Sequence, residues 1–215
     1  MIYVVEADFA HLNISLEEWM PLLNPQRQEK AMQYRFYKDR ALCVFSWLLL
    51  RFSLKKEYGI TEMPEFEYSE YGKPKLSGSE IRFNLSHCDT AVACGVGRKE
   101  IGVDVQDFSP LLHGVTGRFL TQREKEEAES IREEELKCKE LARMWSLKEA
   151  YGKYLGVGLQ YPAERTDFSE IRCDGRWQEA EELRVMSRRF QHCALAVCSE
   201  NEMVCRKIRL EEILG

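Results

Sequence analysis

Short apolar runs and stretches of helical period follow one another along this chain. Residues 2–5, Ile-Tyr-Val-Val, read as a first strand. Asn24-Pro25 has the form of a helix start, with Asn as N-cap and Pro at the first helical position, and a helical region continues to about Tyr58-Gly59. Within it Leu42, Phe45, Leu48 and Leu49 recur at three- and four-residue spacing and mark one buried face. Aromatic residues with Gly-Lys-Pro and Ser-Gly punctuation between Pro64 and Ser79 predict short strands and turns. Residues 81–85 alternate in strand fashion, residues 91–96 form a buried strand, and residues 101–106 follow as another after the turn at 97–100.

Thr121 and Glu124 stand in capping-box spacing at the head of a long helical stretch. Its alternating charges, from Arg123 to Arg143, describe a solvated helix surface. A further helix is expected over about residues 141–155, stopped by Gly156-Val157-Gly158, and residues 168–173, 183–187, 192–199 and 203–208 complete the chain as short strands. Each half supplies helices and a mainly antiparallel sheet, so the fold class is α+β, with two similar-sized halves, 1–100 and 101–215. No internal repeat is strong enough to relate the halves.

Composition narrows the field. Of 215 residues, 44% are apolar and 31% charged, which excludes a disordered, collagenous or membrane-spanning chain. The longest apolar run, residues 41–50, is broken by Ser46 and too short for a bilayer, so it reads as a core helix. Thirty-one basic against 36 acidic residues leave a charge of −5, which argues against a general nucleic-acid binder. Eight cysteines are scattered without a Cys-x-x-Cys pair and only four histidines are present, so no zinc site is expected and the thiols should be small buried hydrophobes. The N-terminus lacks the pattern of a signal peptide, which leads to an expectation of a reducing cytoplasm.

Several short segments carry candidate chemistry. Asp104 and Gln106, two apart on a strand, point to the same side; a carboxylate beside an amide oxygen is the start of a Mg²⁺ site, although the pair alone favours a polar strand end facing water. Glu149 and Lys153 lie one helical turn apart, as an ordinary ion pair would, yet they sit between Trp145 and a Gly-x-Gly terminator. A carboxylate that helps to hold Mg²⁺ and a lysine that holds its phosphate could stand at that spacing. Ser86 and His87 follow a strand and could donate to a phosphate or simply cap a turn. Arg27, Lys30, Arg35, Lys38 and Arg40 form a cationic patch on an acidic protein, or a solvated helix face.

Taken in order, these pieces resemble the Sfp-type 4'-phosphopantetheinyl transferases. The resemblance rests on Tyr71-Gly72-Lys73-Pro74, Phe83-Asn84-Leu85-Ser86-His87, Gly102-Val103-Asp104-Val105-Gln106, residues 118–124 and the long motif from Trp145 to Leu159. It implies two pseudo-symmetric α+β halves with the active site in the cleft between them. It also implies a monomer that moves the phosphopantetheine arm of coenzyme A to a serine of an acyl, peptidyl or aryl carrier protein and releases adenosine 3',5'-bisphosphate. By the same resemblance Asp104, Gln106 and Glu149 hold Mg²⁺ or Mn²⁺, and Lys153 contacts the transferred or leaving phosphate. Glu149, or a water held by the ion, takes the serine proton, with Glu124 as a second candidate base. Arg27, Lys30, Lys73, Ser86 and His87 hold the nucleotide end of coenzyme A.

Two positions depart from the family pattern. Gln106 stands where a glutamate is usual, which removes one negative charge from the metal site. Leu42 aligns with a coenzyme-A-binding arginine, for which Arg40 is the candidate substitute. A homologue that binds coenzyme A or another nucleotide without transferring its arm is therefore the alternative, and a phosphohydrolase a third reading. Carrier docking is expected on an exposed apolar patch beside residues 108–119, centred on Leu111 and Leu112.

Overall fold

A computed structural model describes residues 1–12, 14–157 and 160–214. Strand β1 (Ile2–Glu6) sends Tyr3 and Val5 to one side and Ile2 and Val4 to the other, and this alternation sets the layering. It belongs to a four-stranded sheet of order β10 (Cys205–Lys207), β1, β5 (Ala91–Gly97), β4 (Arg82–Cys88). Tyr3, Val5, Val92 and Cys94 pack on the long helix α2 (Tyr37–Tyr58). On the opposite face Ile2, Val4 and Ala93 share a core with Ile101, Val103 and Val105 of β6 (Ile101–Asp107).

That strand opens a second four-stranded sheet, order β6, β9 (Cys193–Ser199), β8 (Leu183–Arg189), β7 (Asp174–Ala180). Its outer face carries Val185, Ala196 and Cys198 against Leu147 and Ala150 of helix α4 (Glu134–Leu155). The layers thus run helix, sheet, sheet, helix, and the architecture is mixed α+β. The turn between β5 and β6 falls near residue 100, but the two sheets on either side of it share one core. The chain also crosses back, because β10 pairs in parallel with β1, Ile2 opposite Cys205 and Val4 opposite Lys207.

Three expectations are corrected. The helical region of residues 24–58 is two helices, α1 (Pro25–Gln33), N-capped by Asn24, and α2; between them Tyr34 and Phe36 are extended, and Arg40 donates to the Tyr34 carbonyl at 3.1 Å. Helix α3 (Gln122–Ser130) has the Thr121 capping box, but α4 begins at Glu134, a full two turns before the expected 141. Residues 168–173 form a loop: Asp167 accepts from the Ser169 amide at 3.0 Å, and Phe168 and Ile171 insert beneath α4, so the strand starts later, as β7. The stop of α4 is Gly156 at φ 74°, which a residue with a side chain rarely adopts. The expected Gly158 stop lies outside the described residues. No helix among the described residues is long and apolar enough to cross a membrane.

Candidate active site

Strand β6 turns its even-numbered residues toward α4. Gly102 makes this approach possible, since a Cβ there would overlap the Ala150 carbonyl oxygen and lie 2.5 Å from the Tyr154 nitrogen. Two residues on, the Asp104 side chain is buried against the same helix. Its Oδ1 accepts from Lys153 Nζ at 2.6 Å and from Ser86 Oγ at 2.7 Å. Its Oδ2 is buried with no hydrogen-bond partner among the described residues. A buried carboxylate oxygen left unpaired is costly, and in this position it is an open donor for a cation. Burial pushes the Asp104 carboxyl above its usual range despite the pull of Lys153 and Ser86.

Strand β4 closes the site from the first sheet. Asn84 Oδ1 accepts from the Val103 amide at 2.7 Å, and Ser86 Oγ accepts from the Val105 amide at 3.2 Å, so two side chains bridge β4 to β6 across the seam between the sheets. Ser86 also accepts from Lys153 Nζ at 3.0 Å, and its hydroxyl is fully occupied. The sequence reading missed Asn84. The signal was its i,i+2 relation to Ser86 in an alternating strand, which puts both on one side and His87 on the other.

Glu149 and Lys153 share one face of α4. Burial raises the Glu149 pKa first, the Asp104 charge raises it further, and Lys153 opposes both. Gln106, on the Asp104 side of β6, is half-buried. Oxygen donors of this kind suit Mg²⁺: Asp104 with its open Oδ2, Glu149, and the Gln106 amide.

A cationic rim lies beyond. Arg27 is pinned by Nε and Nη2 to the Cys43 carbonyl at 3.3 and 3.2 Å, and Lys30 is exposed one turn further along α1. Both line a cavity of about 230 Å³ with Trp47, Phe66, Pro74 and Leu85. The His87 ring reaches solvent, yet crowding by surrounding atoms lowers its pKa, as do the charges of Arg27, Lys153 and Lys30, with Asp39 opposing. Lys38 is taken by Asp89 at 2.7 Å. Arg40 Nε is buried with no partner among the described residues.

Other expected members stand elsewhere. Glu124 is fully buried: Oε2 accepts from the Thr121 amide at 2.8 Å and pairs with Lys148 Nζ at 2.7 Å, while Oε1 accepts from the Phe168 amide at 2.7 Å. Both oxygens are committed to these contacts, which cap α3 and pair with Lys148. The Lys73 ammonium is occupied by Glu100 at 2.7 Å and by the carbonyls of Ile101 and Tyr154; it ties the β2 (Phe66–Tyr68) and β3 (Pro74–Leu76) hairpin to α4, and its neighbours Gly72 and Pro74 face the cavity instead. Of the two leucines in the 3₁₀ segment Pro110–Arg118, Leu112 is a core residue and Leu111 is exposed, at 82%.

Residues 100–207 match the model of the 4'-phosphopantetheinyl transferase superfamily. The chain is 25% identical over 150 residues to 4'-phosphopantetheinyl transferase Sfp of Bacillus subtilis, covering 69% of this chain and 66% of that protein. It is 30% identical over 152 residues to 4'-phosphopantetheinyl transferase HetI of a Nostoc species, covering 67% and 64%. With the mouse L-aminoadipate-semialdehyde dehydrogenase-phosphopantetheinyl transferase it shares 26% over 172 residues, 72% of this chain and 56% of that one. The chain therefore spans two thirds or less of the length of these relatives.

Proposed function

Because the chain belongs to the 4'-phosphopantetheinyl transferase superfamily, we propose that it transfers the 4'-phosphopantetheine arm of coenzyme A to a serine hydroxyl of a carrier protein, releasing adenosine 3',5'-bisphosphate. It does so as a cytoplasmic monomer, with the substrate in the cleft between two related halves. The observation that carries this reading is the open, buried Oδ2 of Asp104 at the meeting of β6 and α4, with Glu149 and Lys153 beside it.

Asp104, Glu149 and the Gln106 amide would hold Mg²⁺, which supplies neutralisation of the charge that develops on the diphosphate oxygens. Gln106 leaves the set one charge short of two carboxylates and a glutamate, and the burial that raises the Asp104 and Glu149 pKa values makes both oxygens receptive to a cation. Glu149 accepts the serine proton. Lys153 brings a cation to the phosphate being transferred or released. Arg27 and Lys30, aided by His87, receive the 3'-phosphate, and the apolar walls at Trp47 and Phe66 receive the base. Arg40, with its free Nε, supplements this group.

Intact-mass measurement of apo carrier proteins of fatty-acid, polyketide and nonribosomal-peptide type, incubated with the protein, coenzyme A and Mg²⁺, tests the proposal. The expected result is a gain of one phosphopantetheine on at least one carrier. Tight binding of coenzyme A with no gain on any carrier would instead make the protein a binding homologue.

A further inference from the structure

At the opposite end of α4 from Glu149, three potential ligand side chains from two elements converge. Glu134 and Cys138 lie four residues apart on α4, and His113 comes from the 3₁₀ segment; their ligand atoms all lie within 4.8 Å of one another. His113 Nε2 is 3.6 Å from Cys138 Sγ, and His113 Nδ1 is 3.3 Å from Glu134 Oε1. Tetrahedral zinc with bonds of about 2.0–2.1 Å to nitrogen and 2.3 Å to sulfur sets its N···S edge at about 3.6 Å. The second contact matches the outer sphere of a zinc-bound histidine, in which the other ring nitrogen donates to a carboxylate.

We infer that His113 Nε2 and Cys138 Sγ bind a soft divalent cation of the Zn²⁺ class, with Glu134 orienting the imidazole. Cys138 is buried and His113 is partly sheltered, and His113 also lines an adjoining cavity of about 120 Å³. Glu129 lines this cavity too. Lys125 and Lys137 also line it and oppose any site held by charge alone, which leaves the thiolate as the decisive donor. Binding deprotonates the thiol: the metal–sulfur bond forms, the S–H bond breaks, and the proton passes to solvent. Eleven residues separate Cys138 from Glu149, about 16 Å along the helix, so the site is distinct from the Asp104 centre. Its effect is to pin the segment bearing exposed Leu111 to α4. Neither short-range spacing nor Cys-x-x-Cys announced it, because His113 and Cys138 are 25 positions apart.

Titrating chelator-treated full-length protein with Co²⁺ tests the site. The expected result is a thiolate-to-cobalt charge-transfer band that saturates at one ion per chain, is displaced by Zn²⁺, and persists in excess Mg²⁺. Cys138→Ser and His113→Gln should each abolish the band while metal-free circular dichroism stays that of the parent. Glu134→Gln should weaken Co²⁺ binding at least ten-fold. No band in the parent protein, or a band that survives in both folded Cys138→Ser and folded His113→Gln, would overturn the inference and leave a simple S–H···N hydrogen bond.

Discussion

Lys153 Nζ lies 2.6 Å from Asp104 Oδ1, while the other oxygen of the same carboxylate is buried without a partner among the described residues. On the proposed reading one residue offers a separate oxygen to each of two cations, the lysine and a divalent ion. The two functions should come apart on mutation. Lys153→Ala is expected to lower kcat about 10²- to 10³-fold with an unchanged Mg²⁺ requirement. Asp104→Asn is expected to raise the Mg²⁺ concentration for half-maximal rate at least ten-fold. Transfer rates across a Mg²⁺ series distinguish them, and wild-type kcat in Lys153→Ala would remove the lysine from the chemistry.

If His87 meets the 3'-phosphate as proposed, its titration contributes a pH dependence of definite sign to coenzyme A binding. Its pKa is held down in the free protein by crowding and by Arg27, Lys153 and Lys30. A bound 3'-phosphate favours the protonated ring and raises that pKa, so binding takes up a proton and tightens as pH falls from 7 toward the lowered value. Calorimetry at pH 6 in two buffers of different ionisation enthalpy should report the uptake, and His87→Ala should abolish it. Equal heats from the parent protein in both buffers would count against a phosphate contact.

Gly102 is a spacing element as much as a backbone one. Gly102→Ala places a methyl into the Ala150 carbonyl and the Tyr154 nitrogen, atoms of helix backbone that have nowhere to go. The expected cost is about 3 kcal/mol or more, with β6 pushed from α4 and Asp104 moved away from Glu149. Chemical denaturation gives the loss, and an unshifted midpoint would contradict the close approach.

The buried pair Glu124–Lys148 separates architecture from catalysis. Losing one partner strands the other charge, since Lys148 also holds the carbonyls of Ala163 and Thr166. Glu124→Ala should therefore destabilise the fold by about 3–5 kcal/mol while the molecules that remain folded keep kcat within about two-fold, and Glu124→Leu/Lys148→Met should recover part of the loss. A large fall in kcat without any fall in Tm would return Glu124 to the reaction.

What the sequence disclosed and what it hid follow from the range of the interactions. Asn24 as cap, the Thr121–Glu124 box and the strand alternation around Asp104 are local, and each is present in the structure where the residues placed it. Glu124 shows the limit: its motif position was visible, but its fully committed oxygens depend on Lys148 and Phe168, 24 and 44 residues away. Lys73 repeats the lesson, because a basic residue in a nucleotide-like motif ends on Glu100. Leu111 and Leu112 are adjacent and equally apolar, and only packing decides that one is exposed and the other buried.

The parallel pairing of β10 with β1 bears on how the protein is made. Residues 2–4 are made long before residues 204–208, yet among the described residues one side of their backbone is paired by that segment, through the Ile2 amide to the Val204 carbonyl and the Ile208 amide to the Val4 carbonyl. Until that segment pairs, β1 is an open sheet edge that another strand could extend. The sheet that holds β1 is therefore completed by a segment far along the chain, and its closure is a long-range event.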